Sequence, residues 1–222
     1  MARRTKEDAQ ATRAAVLDAA ERVFLLRGVA HTSLAEIAHA AGVTRGAIYG
    51  HFKNKADLFT AMMERVTLPL EAELAQVAAA DAASSDMLAE LRARAQVAIR
   101  QIVSDAQTRR VVEIAMLMVE HVDDLGELRT RRAQAVRATV KRFALILTKA
   151  ARQRGLRAPA TVTATAQARG LDALIFGLTH HWLLERGFDL EAEACQAMDA
   201  YLRGIGLPPG LGDNPRLPVA RL

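Results

Sequence analysis

The stretch TSLAEIAHAAGVTRGAIYGHFKNKADLF, residues 32–59, decides the fold, because it holds the caps of two short helices on either side of a glycine. Ser33 and Glu36 have the spacing of a capping box, in which each side chain accepts a hydrogen bond from the other residue's backbone amide. Thr44 follows Gly42 and can cap the second helix, which should run to about His51. Two short helices joined by a tight glycine turn are typical of a helix-turn-helix.

The segments on either side of this stretch each predict a longer helix. A first helix is expected from about residue 8 to Arg27, ended by Gly28, which can take the left-handed conformation past a helix C-terminus. Asn54 can cap a fourth helix, whose apolar residues recur at helical spacing. Pro69 removes one backbone hydrogen bond inside that helix, so we expect the helix to kink or end there.

The remainder of the chain also predicts helices. Aromatic residues make up only 4% of the chain, and no alternating apolar stretch bounded by turn residues suggests a strand. Long helical patterns occupy about residues 87–104, 106–121, 126–154, 162–186 and 190–204. The sequence therefore predicts an all-α fold of about nine helices.

The change from short, glycine-bounded helices to long ones suggests two domains. We expect a three-helix head at residues 1–53 that holds the helix-turn-helix, and a larger helical domain at residues 54–206. Four of the six prolines follow Leu207, so residues 207–222 are predicted to be a disordered tail.

The composition limits the class of protein. With 51% hydrophobic and 25% charged residues among 222, the chain can bury a core. Its formal charge of +5 suits a partner that carries phosphates, although proteins with other partners share it. The N-terminus is charged, and the longest apolar run is far shorter than the roughly 20 residues of a membrane span. We therefore expect a cytoplasmic protein with no membrane partner.

Residues for catalysis or metal binding are not grouped in the sequence. Cys195 is the one cysteine, so a disulfide or a thiolate zinc site within the chain is excluded. His180 and His181 are adjacent, so on a helix they point about 100° apart and cannot easily share a metal ion. There is no phosphate-binding loop, zinc-binding histidine pair or nucleophile elbow. We expect no enzyme activity, no cofactor and no metal.

The second short helix is the candidate for reading DNA, because that helix of the motif enters the major groove. Ile48 and Phe52 are four residues apart and can pack inward. The side chains left to face outward are Arg45, Tyr49 and His51. An arginine there can pair with guanine or with a phosphate, and the other two can contact phosphates or a thymine methyl group. Short capped helices also occur in proteins that bind no DNA, so spacing alone leaves that alternative open.

Residues 13–59 resemble the signature of the TetR family of transcription regulators. The match consists of RxxVLDAAERVF at 13–24, Gly28, TSLAEIA at 32–38, AGVTRGAIY at 41–49 and HFKNKADLF at 51–59. The opening MARRTKE and the late residues Gly170-Leu171, Gly177-Leu178, Trp182-Leu183 and Phe188-Asp189-Leu190 look like the AcrR-type branch. Most members of that branch repress genes for multidrug efflux pumps of the resistance-nodulation-division type. The resemblance implies a repressor that a small molecule releases from its operator.

The resemblance also implies DNA contacts, residue by residue. It places phosphate contacts at Thr32, Ser33 and Lys55, and groove or backbone contacts at Thr44, Arg45, Gly46, Ala47, Tyr49 and His51. Gly50 departs from the bulkier residue that many members carry there, which removes a possible base contact. The implied partner is a palindromic double-stranded operator, because a two-fold dimer reads two half-sites.

The last two long helices are the candidates for dimerisation. Small residues recur every three or four positions on the first of them and let another helix approach closely, and the second has an apolar stripe. Two such helices from each of two chains would form a four-helix bundle, as the resemblance also implies. The predicted homodimer interface is Gly170, Ala173, Gly177, His181, Met198 and Leu202. The alternative is that both stripes are ordinary core within one chain.

Methionine and aromatic residues could line a cavity for a small hydrophobic effector, because methionine adapts to varied shapes. Glu113 or Glu120 could neutralise a cationic effector if its side chain points inward. The candidates for effector binding are Met62, Met116, Glu113, Glu120, Phe143, Phe176 and Trp182. The alternative is core packing for the apolar residues and surface exposure for the acidic ones.

The leading interpretation is thus a ligand-released repressor of an efflux operon. A TetR-like regulator of another metabolic pathway is the alternative within the same class. A helical enzyme or carrier that kept the head, and a DNA-binding protein that responds to no ligand, are alternatives from other classes.

Overall fold

The structure is a computed structural model that describes residues 6–79, 86–118, 126–156 and 162–208; of residues 67–70, 72–73 and 127–128 it describes the backbone alone. Nine α-helices and no strand occur within these ranges. They are α1 Lys6–Arg27, α2 Leu34–Ala40, α3 Arg45–Tyr49, α4 Lys55–Ala79, α5 Met87–Ser104, α6 Ala106–Leu117, α7 Gly126–Gln153, α8 Ala164–Glu185 and α9 Leu190–Gly204. The prediction of an all-α chain is confirmed.

The helices form two compact units, and each unit consists of two segments of the chain. One unit is Met1–Glu71 with Gln101–Val136, and the other is Ala72–Arg100 with Arg137–Leu222. We call the first the head unit, because it contains the helix-turn-helix, and the second the body unit. Helix α6 therefore belongs to the head unit, although it follows α5 in the chain.

The head unit has one apolar core, to which α1, α2, α3, α4 and α6 all contribute. Its fully buried side chains include Phe24, Ile37, Ile48, Leu58 and Ile114. The rings of Phe24 and Phe59 pack with their centroids 6.2 Å apart. The short helices α2 and α3 depend on this packing, because helical stability in proteins comes chiefly from the burial of an apolar face.

Glu21 on α1 is a buried carboxylate, only 1% exposed, that faces groups from two other helices. Arg65 of α4 donates to Glu21 Oε1 over 3.2 Å, and Arg110 Nη2 of α6 lies 3.6 Å from Oε2. Gln107 Nε2 of α6 donates to Oε1 over 3.0 Å. Arg65 also donates to the exposed Asp18 over 2.7 Å. This Glu21 cluster holds α1, α4 and α6 in one arrangement, because a buried carboxylate is costly unless it is paired.

The C-terminal end of α6 is also bonded to another part of the head unit. The Val29 amide, in the turn that follows α1, donates to the Met118 carbonyl at the end of α6 over 3.1 Å. The two ends of α6 are therefore fixed to α1 and to the turn between α1 and α2.

The fourth helix continues through Pro69 to Ala79, so the expectation that the proline could end it is wrong. Buried residues hold the helix on both sides of the proline, Val66 in the head core and Val77 in the body core. Packing on both sides therefore outweighs the one backbone hydrogen bond that a proline removes.

Helices α5, α7, α8 and α9, together with the end of α4, form the core of the body unit. Its fully buried residues include Met87, Leu91, Ile146, Leu171 and Leu202. Arg92 donates to Asp199 through two nitrogens, and Arg100 does the same to Glu191, so two ion pairs join α5 to α9. The hydrogen bonds from Arg100 lower the pKa of Glu191 to about 2.

The predicted tail begins at a buried residue. Leu207 packs in the body core, and its amide donates to the Leu202 carbonyl over 2.8 Å. Residues 209–222 lie outside the described residues, so disorder there stays a prediction.

The helices of the described ranges fit neither a bilayer nor a metal site. None of them has both the length and the apolar character of a membrane span. Within the same ranges, no three His, Cys, Asp or Glu side chains are placed to hold a metal ion.

Candidate nucleic-acid interface

The helix-turn-helix begins with the predicted capping box. Ser33 Oγ accepts from the Glu36 amide over 3.2 Å, and Glu36 Oε2 accepts from the Ser33 amide over 2.8 Å. Arg27 Nη1 donates to Glu36 Oε1 over 2.6 Å. The hydrogen bond from the Ser33 amide is the main reason why the pKa of Glu36 lies below its usual value. The carboxylate is thus ionised at neutral pH, and the start of α2 is held in place.

The turn after α2 sets the direction in which α3 begins. Gly42 has a φ of +66°, a left-handed conformation in which a residue with a side chain would be strained. The Val43 amide donates to the Ala38 carbonyl over 3.0 Å and closes the turn. Thr44 then caps α3, because its Oγ1 accepts from the Ala47 amide over 3.2 Å. The predicted glycine turn and the predicted cap are both confirmed.

Helix α3 has one face in the core and one in solvent. Ile48 and Phe52 are buried, as their spacing predicts. Arg45 and Tyr49 are exposed, with the Arg45 guanidinium 5.8 Å from the centre of the Tyr49 ring. No acidic group in the described part of the chain pairs with Arg45. Its charge is therefore available to a phosphate or to the acceptors of guanine.

Helix α3 is shorter than the sequence predicts, because it ends at Tyr49 and has Gly50 as its C-cap. A Cβ at position 50 would lie 3.3 Å from the Ala47 carbonyl oxygen, a tight but local contact. The glycine therefore lies at the end of the reading helix and leaves the surface next to Tyr49 without a side chain. His51 follows, half-buried, with its ring centroid 6.3 Å from that of Phe52.

Like Ser33, whose Oγ is bonded to Glu36, the other two predicted phosphate contacts have partners inside the protein. Thr32 is buried, and its Oγ1 donates to the Gly28 carbonyl over 2.8 Å. Lys55 is half-buried, and its Nζ donates to the Ala30 carbonyl over 2.9 Å. Both side chains thus stabilise the turn between α1 and α2. The DNA contacts of these and the other seven predicted residues stay predictions.

Three of the predicted dimer residues pack within their own chain. Met198 and Leu202 are 2% and 0% exposed in the body core. A Cβ on Gly170 would overlap the Tyr201 hydroxyl, which donates to the Gln167 carbonyl over 2.7 Å. These three residues therefore pack between α8 and α9 of a single chain, which is the alternative to a dimer interface.

The other predicted dimer residues lie on the accessible side of α8. Ala173 and His181 are exposed, and Gly177 is half-exposed with no atom within 4 Å of a Cβ built on it. Phe176 and Leu184 are 44% and 60% exposed. Positions 173, 177, 181 and 184 recur at intervals of three or four, and position 176 lies three residues after 173, so the five residues form one face of α8, which we call the α8 face.

The predicted effector residues divide between the two units. Met62, Glu113 and Met116 belong to the head unit, and Phe143, Phe176 and Trp182 belong to the body unit. Met62 is fully buried in the head core, and Phe143 is buried in the body core. Glu120 lies outside the described residues. Effector binding by these residues stays a prediction.

Asp172 on α8 is a candidate that the sequence reasoning missed. Its carboxyl is half-buried, and burial raises its pKa. No hydrogen bond or ion pair engages it within the described ranges. The signal in the sequence is that Asp172 is the one acidic residue of α8 before Glu185. A half-buried carboxyl without a partner is unfavourable in the protein alone, which makes it a candidate for contact with a ligand.

Two family models match this chain, one in its N-terminal part and one in its C-terminal part. Residues 16–62 match the family described as bacterial regulatory proteins, tetR family. Residues 86–206 match the C-terminal region of MAATS-type transcriptional repressors.

Individual relatives match nearly the whole chain. The HTH-type transcriptional regulator TtgR of Pseudomonas putida is 40% identical over 212 residues, which are 95% of this chain and 99% of that protein. Two solved structures are similar in fold and in sequence.

The first is NalD, described as the secondary repressor of the MexAB-OprM multidrug efflux pump in Pseudomonas aeruginosa. It matches with a TM-score of 0.77 at 36% sequence identity, and the match covers 90% of this chain and 98% of the NalD chain. The second is a complex of SmeT with triclosan, which matches with a TM-score of 0.76 at 31% identity, over 93% and 99% of the two chains. SmeT is described as the repressor of the Stenotrophomonas maltophilia multidrug efflux pump SmeDEF. With an exposed reading helix, two matching family models and relatives along its whole length, this chain belongs to the TetR family of bacterial transcription regulators and has the C-terminal region of a MAATS-type transcriptional repressor.

Proposed function

We propose that this protein represses a multidrug efflux operon and that a small molecule releases it from the operator. The exposed side of α3 carries the DNA-binding part of the proposal, because Arg45 has no acidic partner in the described residues. NalD and SmeT are described as repressors of multidrug efflux pumps, which supports the same class of target gene here. Since its site of action is operator DNA, we place the protein in the cytoplasm.

We propose further that the protein acts as a homodimer on a palindromic operator. A reading helix of five residues can specify only a few base pairs, whereas a two-fold pair reads two half-sites about 34–36 Å apart or a multiple of that. The α8 face is our candidate interface, because it exposes Phe176 and Leu184, and the small residues Ala173 and Gly177 beside Phe176 let another helix approach closely. Contiguous apolar surface of this kind is typical of association sites.

The effector is proposed to bind beside Asp172 in the body unit. A cationic aromatic compound would gain a charge-assisted contact with this half-buried carboxylate. A neutral phenol could instead donate a hydrogen bond to the same carboxylate. The complex of SmeT with triclosan supports the phenol as a class of effector worth testing.

Release requires that the effector changes the position of the reading helix. Helix α6 is bonded to α1 through the Glu21 cluster and to the turn before α2 through Val29 and Met118. A displacement of α6 or α4 would therefore act on α1 and on the start of the helix-turn-helix. An effector that favours the displaced arrangement shifts the population toward dimers whose heads no longer fit successive major grooves.

A footprint on the DNA upstream of the gene tests the proposal, with and without triclosan and a panel of cationic aromatic compounds. We expect a protected palindrome that is lost when an effector is added. Protection should also weaken steeply with salt, because phosphate contacts release counterions. The absence of any protected site at low salt would contradict operator binding. A site that no compound affects would favour a DNA-binding protein that responds to no ligand.

Replacing Asp172 by asparagine tests the effector contact, because the substitution keeps the shape and removes the charge. We expect the concentration of a cationic effector needed for half-release to rise about 10-fold, since a hydrogen bond to a charged group is worth about 1.5–3 kcal/mol. Operator affinity without effector should not change. Glu185→Gln is the matched control, because Glu185 is an exposed acid on the same helix. If both variants respond as the unaltered protein does, Asp172 does not contact the effector.

A further inference from the structure

A surface groove lies on the head unit between α1 and α2. Val23 and Leu26 of α1 and Ala35 and Ala40 of α2 provide its apolar lining, and its volume is about 470 Å³. Leu26, at the edge of this head groove, is 82% exposed, more than any other large hydrophobic residue of the described chain. None of the residues predicted to contact DNA lines the groove.

The groove and its edge are complementary to each other. A leucine that projects into solvent lies directly beside an apolar depression, so a surface of this kind can pack against a second copy of itself. Arg27 and Glu36, which pair over 2.6 Å at the rim, have 60% and 41% exposed side chains. Beside His39, which also lines the groove, Arg27 and Glu36 provide one formal charge of each sign, so a two-fold copy meets this pair without a surplus of like charge.

The openness and the charges of the head groove make a small ligand or DNA less suitable as its partner. The groove is open to solvent, whereas sites for small ligands usually bury 70–90% of the ligand. DNA would need a surplus of positive charge, but the rim charges of Arg27 and Glu36 cancel. The exposed leucine indicates an apolar partner.

We propose that the head grooves of two neighbouring repressor dimers meet on operator DNA, with Leu26 of each head seated on the groove of the other. The proposal rests on the operator binding proposed above. The two heads of one dimer cannot form this contact directly, because their half-sites are about 34–36 Å apart or more. The contact therefore joins two dimers bound at adjacent sites, and it makes their binding cooperative.

The size of the groove explains why the contact would depend on DNA. A patch formed by seven residues is much smaller than the roughly 800 Å² per partner of a stable interface, so free dimers should not associate through it. Two dimers on one DNA molecule are held at a high effective concentration, and a weak contact then becomes populated.

A gel-shift titration on DNA with two operator copies tests the inference, with the spacing varied in single base-pair steps over one helical turn. We expect the unaltered protein to fill the second site about 5–150-fold more tightly than the first at the best spacing. Leu26→Glu should fill the two sites independently at every spacing and should bind a single-copy DNA as tightly as the unaltered protein. Because the side chain is largely in solvent, this variant should also keep its unfolding temperature.

Two further variants make the result specific. Leu145→Glu is the matched control, since this leucine of the body unit is 47% exposed and is not one of the residues that line the groove, and it should keep the cooperativity. Ala35→Arg places a long side chain in the groove from the α2 side, and this variant should lose the cooperativity. Independent filling by the unaltered protein at all spacings, or cooperativity that survives in Leu26→Glu, would overturn the head contact while single-site binding stands. Failure to bind even one operator copy would overturn the operator proposal and this one with it.

Discussion

Replacing Arg45 by alanine should raise the operator Kd by roughly 30-fold or more while the protein stays folded. A guanidinium that contacts a base or a phosphate is worth about 1–3 kcal/mol, and a dimer loses two such contacts. The side chain is exposed and pairs with no acid in the described residues, so its removal should leave the unfolding temperature unchanged. A gel-shift titration at fixed salt, together with a thermal melt, measures both quantities.

Two comparisons show what kind of contact is lost. Arg94→Ala removes the same charge from α5 in the body unit, and it should leave the Kd within about 2-fold, because Arg94 is outside the helix-turn-helix and salt screens charges that make no direct contact with DNA. Arg45→Lys keeps the charge but loses the planar fork, so it should restore binding only if the contact is to a phosphate. An Arg45→Ala protein that binds as tightly as the Arg94→Ala protein would remove α3 from the interface.

Replacing Glu21 by glutamine should cost about 3 kcal/mol of folding free energy, the largest effect on stability that we expect from one polar residue. Removing one partner of a buried ion pair leaves the other charge unpaired, at a cost of about 3–5 kcal/mol. We expect the low end, because the side chains of Arg65 and Arg110 keep 28% and 40% exposure and can be partly hydrated. The unfolding temperature should fall by roughly 6–12 °C at fixed protein concentration.

Asp18→Asn is the matched control for this loss. Asp18 accepts from the same Arg65 nitrogen over 2.7 Å, but its side chain is 48% exposed. An exposed ion pair contributes about 0–1 kcal/mol, so this variant should unfold within a few degrees of the unaltered protein. Equal losses in the two variants would mean that the burial of Glu21 does not matter. If Glu21 also couples α6 to the head, Glu21→Gln should change the effector concentration needed for release, and Asp18→Asn should not.

The local parts of the structure were predictable from the sequence. The capping box of Ser33 and Glu36, the turn at Gly42 and the cap at Thr44 each depend on residues within four positions of one another. Such signals survive in any fold, because the backbone groups that they satisfy belong to the same helix end. The inward spacing of Ile48 and Phe52 was readable for the same reason.

The contacts between distant segments could not be read in this way. The partners of Glu21 lie 44 and 86 residues away, on α4 and α6, and no periodicity links them to α1. The spacing of small residues also predicted Gly170 in the homodimer interface, whereas in the structure Tyr201 of the same chain packs against Gly170. A small residue indicates that another segment packs closely against the helix, but it does not show which segment that is. The domain boundary at residue 53, the DNA contacts and the effector residues accordingly stay predictions.

The head unit consists of two separate segments of the chain. This arrangement limits how DNA specificity can be exchanged between repressors of this kind. A recombination crossover just after the helix-turn-helix would join a foreign α1 to the resident α6, and so combine a new residue at position 21 with Gln107 and Arg110 inherited from the other parent. Where the two parents differ at position 21, 107 or 110, such a chimera would leave a buried charge of its head unit unmatched. New operator preferences should therefore arise by substitutions on the exposed side of α3 more readily than by gene shuffling at that boundary.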